Sequence, residues 1–380
     1  MKILETNFHR GWGGQPTYIL MMARGLADLG HDVVVAAPAG SILAGRARAA
    51  GLPTFEALAF RKTKHLAAAA RDAFVLARHL REGGYDLINS HGSQDVWTCV
   101  AARALAGRRT PLVYTRNNTK AVRPHAANRW LYGRQIDHLI VASRTVLERY
   151  APFLEGGTLS DRRISVVHGT YRPDQFHRGL DRGAARARLG FGPATPLIGV
   201  VGRLVRDKGH AVLFRAAVEI LKRRPEVRFL LVGTGTLEGE LRRLAGDLGI
   251  DGAVHFLGFR EDIPEITAAL DVSVLPSVDC DASPAVLKEA LACGVPAVAS
   301  DIGGAAEILR EGVTGLVVPP DDPRRLAEAI LSLVEDPERA REMGRIGSGD
   351  VAERFPPSRL AAETLAVYRG VLERRREVTH

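Results

Sequence analysis

Short apolar runs of β character alternate with longer stretches of helical spacing along almost all of this 380-residue sequence. No other feature constrains the fold as tightly. Strands that are each followed by a helix pair in parallel, and the helices cover the sheet faces. In the first half the strands are expected at 2–6, 32–37, 85–90, 111–115, 136–142 and 164–167. In the second half they are expected at 197–201, 227–232, 254–256, 272–276, 296–300 and 315–318. Residues 18–29 have apolar side chains at helical spacing and stop at Gly30, a normal C-terminal signal. Residues 210–224, 237–248 and 285–292 read as further helices, Asp322 stands as an N-cap before Pro323, and a last helix closes the chain over about 358–374. Between the halves, 174–195 is rich in Arg, Gly and Pro and includes Phe191-Gly192-Pro193, which places the expected boundary there. The expected fold class is therefore α/β, with two Rossmann-like domains facing one cleft.

Composition narrows the function. Hydrophobic content of 46% and charged content of 25% are ordinary for a soluble globular chain. The opening apolar run turns polar at Glu5, too early for a signal-peptide core, and no stretch approaches the ~18 apolar residues of a membrane span. Cys99, Cys280 and Cys293 are odd in number and scattered, which argues against a disulfide framework or zinc site and fits a reducing cytoplasm. A net charge of +9 and a pI of about 9.8 suit nucleic acid, an anionic membrane or phosphorylated small molecules. With no nucleic-acid-reading motif, no basic arm and only 6% aromatic residues, nucleic acid is set aside. Part of the excess is simply an Arg-rich, soluble composition.

In open α/β sheets ligands bind beyond the carboxyl ends of strands, and four such places stand out. The first strand leads into Gly11-Trp12-Gly13-Gly14 and a helix, where glycines let backbone N–H groups approach a phosphate or merely form a flexible turn. Strand 197–201 runs into a loop that carries Arg203 and Lys208 at a helix start, either a diphosphate clamp or two solvated cations. Asp281-Ala282-Ser283-Pro284 leads to Glu289 inside the next helix. N–H groups of Ala282 and Ser283 can meet a phosphate and the carboxylates can accept sugar or ribose hydroxyls, or Asp281 caps the helix and Glu289 is a surface charge. Asp301-Ile302-Gly303-Gly304 is a fourth loop, lying beside the same anion or only making the turn. Gly233-Thr234-Gly235 lacks the third glycine and downstream acid of a dinucleotide fingerprint.

Taken together, these residues resemble the GT-B glycosyltransferases of family 4, the group 1 transferases. The likeness runs from Lys2 to about Arg369 and is most specific over AVLKEALACGVPAVASDIGGAAE, residues 285–307. Gly202-Arg203-Leu204 with Lys208-Gly209, Gly13-Gly14 with Gly30-His31-Asp32-Val33, and Asp86 to His91 carry it elsewhere. The resemblance implies domains at 1–180 and 190–355, with 356–380 a helix crossing back to the N-terminal domain. It implies a retaining, metal-independent transferase with no cofactor, whose co-substrate is a UDP- or GDP-linked sugar. Arg203 and Lys208 would neutralise the donor diphosphate together with N–H groups near Gly14, Ala282 and Ser283. Glu289 would bind the ribose, Asp281 the donor sugar, Phe259 and Arg260 the base, and His91 would lie near the reacting face. His91 also reads as a satisfied strand-end histidine. Two positions depart from the pattern. Asp281-Ala282-Ser283 stands where the family usually has Glu with Gly-Phe after it, and His168-Gly169-Thr170 where an Asn-Gly turn is expected.

The acceptor half is strongly basic. Arg61, Lys62 and Lys64 precede a segment with Leu66, Ala69, Ala73, Leu76 and Leu80 on one stripe, with Arg71 and Arg78 on another face. That segment is either a packing helix or a surface for anionic lipid at the inner face of the cell membrane. Arg103, Arg108, Arg109, Arg116, Arg123 and Arg129 add positive charge, which points to a phosphorylated or lipid-phosphate acceptor, and the resemblance implies a glycan, lipid-linked or cell-envelope (lipopolysaccharide or polysaccharide) acceptor. Rival readings are a nucleotide-sugar 2-epimerase of the same fold and an inactive nucleotide-sugar-binding protein.

Overall fold

The computed structural model describes residues 1–61, 66–107, 110–279 and 281–379. Lys62, Lys64, Arg108, Arg109 and Cys280 lie outside the described residues. The chain forms two compact units, Met1–Thr170 with Pro357–His380, and Tyr171–Pro356.

Unit 1 is built on a parallel sheet of β1 (Lys2–Thr6), β2 (Asp32–Ala36), β3 (Thr54–Phe55), β4 (Leu87–Ser90), β5 (Leu112–Arg116), β6 (His138–Val141) and β7 (Ile164–Val166). Their order is β3-β2-β1-β4-β5-β6-β7, so the sheet reverses direction of growth between β1 and β4. Leu4 lies opposite Val34 on one side and Ile88 on the other. The inner strands are buried on both faces, which is why they read as apolar runs and not as alternations. The edge strand β3 was not expected.

The helix Gly14–Asp28 buries Tyr18, Ile19, Met22, Ala23 and Leu26 and packs on the closing helix Pro357–Thr379. Gly25 allows the two backbones to approach, since a Cβ there would stand 2.7 Å from that of Ala361. Tyr368 of the closing helix reaches the sheet, donating to Glu5 Oε1 at 2.8 Å, and Arg375 grips Asp137 at 2.6 and 2.9 Å.

The helix Leu66–Gly83 turns Ala73, Leu76 and Leu80 inward, against the helix Asp95–Leu105. That stripe is protein core, so the apolar face offered to lipid is reduced to Leu66 and Phe74, 76% and 66% exposed. Arg71 and Arg78 pair with Asp72 and Glu82. Among the described residues no helix is long and apolar enough to cross a membrane.

Unit 2 carries β8 (Leu197–Val201), β9 (Arg228–Val232), β10 (Val254–Gly258), β11 (Val272–Leu275), β12 (Ala297–Ser300) and β13 (Gly315–Val318), in the order β10-β9-β8-β11-β12-β13. Its core joins Ile198, Val200, Phe229, Leu231, Val274 and Val298 to Phe214 and Ile330 from the helices His210–Arg223 and Pro323–Val334. Asp322 caps the latter, accepting from the Arg325 N–H at 2.9 Å.

The units divide at Thr170, ahead of the expected boundary in 174–195 and of the expected limits 180 and 190. The basic stretch belongs to unit 2 for two reasons. Tyr171 and Phe176 are buried there beside Leu287 and Leu291. Arg186, from the helix Arg182–Arg188, is buried and donates to the Ala269 carbonyl at 2.8 Å and to Asp271 at 3.2 Å.

Candidate functional site

In unit 2 the strands β8, β11 and β12 are neighbours, so the loops after them meet at one end of the sheet, at its switch point. Backbone hydrogen bonds tie them together. The Val278 N–H donates to the Asp207 carbonyl at 3.0 Å, and the Gly304 N–H to the Asp281 carbonyl at 2.9 Å. Gly209 makes the first of these joints. Its φ is +65°, and a Cβ would fall 1.8 Å from the Pro276 carbonyl oxygen, so only glycine starts the helix His210–Arg223 this close to the end of β11. Gly233 and Gly235 press on Gly202 and Leu204 in the same way. They shape the Arg203 loop from the β9 side, so the set-aside Gly-Thr-Gly has a structural use. The Gly304 N–H is spent on Asp281, so at that residue the fourth loop makes a turn and does not present its N–H to an anion.

Arg203 is exposed, and its side chain has no hydrogen-bond or ion-pair partner among the described residues. Lys208 bends over Gly202 and donates to Asp281 Oδ1 at 2.5 Å, while Ser277 donates to the other Asp281 oxygen. The helix Ala285–Ala292 begins behind Pro284, without a side-chain cap. Asp281 is thus an ion-pair partner of Lys208 and not the cap of that helix. The backbone N–H groups of Ala282 and Ser283 have no acceptor among the described residues, and the first turn of the helix adds its own free donors.

Glu289 is buried and not a surface charge. Burial pushes its carboxyl up, opposed by Arg172, whose guanidinium lies 3.7 Å away, and by Lys288. Arg172 and Lys288 were not singled out from the sequence. Lys288 is fully buried, and burial pushes its ammonium down to about 7. His210 was also missed. It is buried at the helix start with both ring nitrogens unpartnered, and desolvation with the charge of Lys208 drives it down to about 4, so the ring is neutral at pH 7. Phe259 is 70% exposed at the end of β10, and Arg260 forms a fork with Asp262 at 2.6 and 2.7 Å.

In unit 1 the corresponding switch point lies between β1 and β4. Gly13 is the open N-cap of the helix Gly14–Asp28, and a Cβ on Gly13 or Gly14 would meet nothing within 4 Å. His91 follows β4, but its ring is buried. Nε2 lies 2.8 Å from Glu5 Oε2 and 3.1 Å from Asn89 Nδ2, and Nδ1 has no partner among the described residues. Its carbonyl accepts from Gln15, which links β4 to the helix behind the glycines. A separate cavity of about 310 Å³ opens at the end of β5, lined by Trp97, Tyr114, Arg116, Arg123, His125 and Asn128 among others. Arg116 donates to the Lys120 carbonyl and faces Tyr150, with no carboxylate partner among the described residues.

Two doubly wound parallel units, each with a glycine-bearing loop at its switch point and one with paired cations and buried carboxylates, define a nucleotide-handling α/β protein. Residues 12–175 match the profile of Glycosyltransferase Family 4, and 181–349 that of Glycosyl transferases group 1. The D-inositol 3-phosphate glycosyltransferase 2 of Catenulispora acidiphila is 30% identical over 397 aligned positions, spanning 95% of this chain and 91% of that protein. The GDP-mannose-dependent monoacylated alpha-(1-6)-phosphatidylinositol monomannoside mannosyltransferase of Corynebacterium glutamicum is 38% identical over 179 residues. That stretch covers 45% of this chain and 46% of that protein, less than half of its length. Among solved structures, Anabaena HepE in complex with UDP and glucose aligns with a TM-score of 0.80 at 25% identity, over 96% of this chain and 99% of that one. The chain belongs to the group 1 glycosyltransferases and has their GT-B fold.

Proposed function

We propose that the chain transfers a sugar, with retention and without a metal, from a UDP- or GDP-linked donor to a phosphorylated or lipid-linked hydroxyl acceptor. One observation carries the donor reading: three strand-end loops of unit 2 converge around an unpaired Arg203, a neighbouring Lys208 and the unspent N–H groups of Ala282 and Ser283. Donors fixed in place before the charge develops are what a departing diphosphate requires, and fixed cations do the work here that a divalent ion does elsewhere. In this reading Arg203 supplies a planar fork to the diphosphate and Lys208 a point charge that leaves Asp281 when the donor arrives. Asp281, released, accepts from hydroxyls of the sugar. Glu289, oriented by Arg172, accepts from the ribose, and the exposed Phe259 covers the base beside Arg260. The acceptor hydroxyl attacks the anomeric carbon on the face the diphosphate leaves, and its proton passes to the departing diphosphate oxygen. His91 offers only Nδ1 to this chemistry, so its main part is to hold the β4 loop through Glu5.

The acceptor reading is supported by the unit 1 cavity. A guanidinium held among Tyr114, Tyr132 and Tyr150 without a carboxylate favours an incoming anion. The relatives named for D-inositol 3-phosphate act on a phosphorylated polyol.

Thermal shift with UDP, GDP, ADP and CMP tests the donor site, because a ligand bound only by the native state raises Tm. One nucleoside diphosphate should stabilise the wild type, and Arg203→Ala and Glu289→Ala should abolish the effect. No shift with any nucleotide would remove the donor reading. With that donor, radiolabelled transfer to inositol 3-phosphate and to phosphatidylinositol should then need Arg116.

A further inference from the structure

The helix Ala285–Ala292 is apolar all round except at Lys288 and Glu289, and both are buried. Glu289 has Arg172 for a counter-charge. Lys288 has no carboxylate within ion-pairing distance among the described residues. Its Nζ donates to Ser283 Oγ at 2.7 Å and lies 4.8 Å from the centre of the Phe355 ring. A buried ammonium without a direct ion pair is costly, and methionine or leucine would fill the same space without that cost. The one contact an apolar residue cannot make there is the bond to Ser283. That bond joins the middle of the helix to the loop whose Ala282 and Ser283 N–H groups have no acceptor among the described residues.

We propose that Lys288 is a positioning residue for the donor: by holding Ser283 Oγ it fixes the 281–284 loop for the diphosphate, so that tight nucleotide binding requires its proton. The inference rests on the donor site proposed above. Burial pushes the Lys288 ammonium down, Glu289 opposes this, Arg354 adds to it and Glu307 opposes it again. These are the charged groups around it. Glu289 is on its own helix and held by Arg172, Glu307 comes from Ala305–Ile308, and Arg354 closes Pro337–Arg354. On the loop side Asp281 is already paired with Lys208. With its ammonium near 7, a modest change of pH decides whether the Ser283 bond is made by a charged donor.

The sign follows from linkage. A diphosphate binds best to the loop held by the charged Lys288–Ser283 bond, so binding raises the affinity of Lys288 for its proton through Ser283. Binding therefore takes up a proton above about pH 7, and Kd rises by up to about tenfold per pH unit there while staying level below it.

The test is isothermal titration of the full chain with UDP and with GDP across about pH 6.5–8.5, in two buffers of different protonation enthalpy. Wild type is compared with Lys288→Met and Ser283→Ala. The nucleotide's own phosphate titrates near pH 6 in all three and cancels. The wild type should weaken roughly tenfold over the last pH unit with proton uptake. Both variants should bind more weakly at low pH and lose the uptake. Ser283→Ala leaves the buried lysine in place, so it decides the matter alone if Lys288→Met does not fold. Wild-type slope and uptake persisting in a folded variant would overturn the assignment of Lys288 while leaving the donor site intact. Absence of any nucleotide binding by the wild type would instead overturn the donor site, and this inference with it.

Discussion

Replacing Gly209 by alanine should damage the donor loop from within, and Gly249→Ala provides its control. The two glycines have φ of +65° and +67°, so alanine incurs the same left-handed backbone penalty at each, about 1–2 kcal/mol. A stiffer unfolded chain returns roughly 0.4–1 kcal/mol of that. Around Gly249 a Cβ meets nothing within 4 Å, so Gly249→Ala should cost about 1 kcal/mol in all. At Gly209 the same Cβ would stand 1.8 Å from the Pro276 carbonyl oxygen and 2.8 Å from its carbon. Neither atom is the end of a flexible side chain, so the end of β11 or the start of the helix must move. Overpacking of that kind adds about 1–3 kcal/mol, giving a total near 2–4 kcal/mol. Urea unfolding of both variants, read as a change of midpoint at constant slope, measures the difference. Nucleotide titration should show Gly209→Ala losing affinity with the Val278–Asp207 joint, and Gly249→Ala keeping it. Two variants within about 0.5 kcal/mol of each other, both binding normally, would refute the argument that backbone contact at Gly209 shapes the site.

Other outcomes follow from the same geometry. Arg203→Ala should leave Tm unchanged, since the side chain is exposed and unpartnered, while weakening nucleoside diphosphate binding by about 10–100-fold, the worth of a charge-assisted bond. Arg172→Ala should destabilise unit 2 in urea by about 1–3 kcal/mol at pH 7 and less at pH 5, because it strands the buried Glu289 carboxylate and protonation relieves that cost. Lys288 binds its proton more weakly folded than unfolded, about 7 against an ordinary 10.5, so the unfolded chain holds more protons between those values. Stability should therefore rise with pH across that window, and Lys288→Met should flatten the rise in urea unfolding series.

Both sheets are legible in the sequence because their strands are buried on two faces and each is closed by a helix with a clear stop. The strand β3 is not, since Thr54-Phe55 between Pro53 and Glu56 is too short to show a period. The domain boundary was misplaced for a physical reason. Arg, Gly and Pro are linker-like in composition, but Arg186 is buried by its bonds to carbonyl groups, and no local pattern reports that. At the site, glycines and cations after strand ends are readable one loop at a time. Arg172 left no signal, because its partner Glu289 is brought to it only by the fold. Lys288 did leave one. A lysine inside an eight-residue helix that is apolar all round has no solvent face to occupy, and the run from Ala285 to Ala292 says as much. His91 is conspicuous in the sequence, yet the structure places its ring in the core, against a carboxylate on the neighbouring strand.

The chain leaves unit 1 after Thr170 and re-enters it at Pro357, so the second unit is in effect spliced into the first. Synthesis runs from the amino end, and domains tend to close as they emerge. Unit 2 is contiguous and can do so at once. Unit 1 cannot, for until Tyr368 emerges, Glu5 and Asn89 at the centre of its sheet lack the phenol that bonds both, and Asp137 lacks Arg375. During that interval a sheet that has all seven strands but lacks its closing helix must be kept from other partners while the whole of its neighbour is made. The half of the molecule that is begun first is the half completed last.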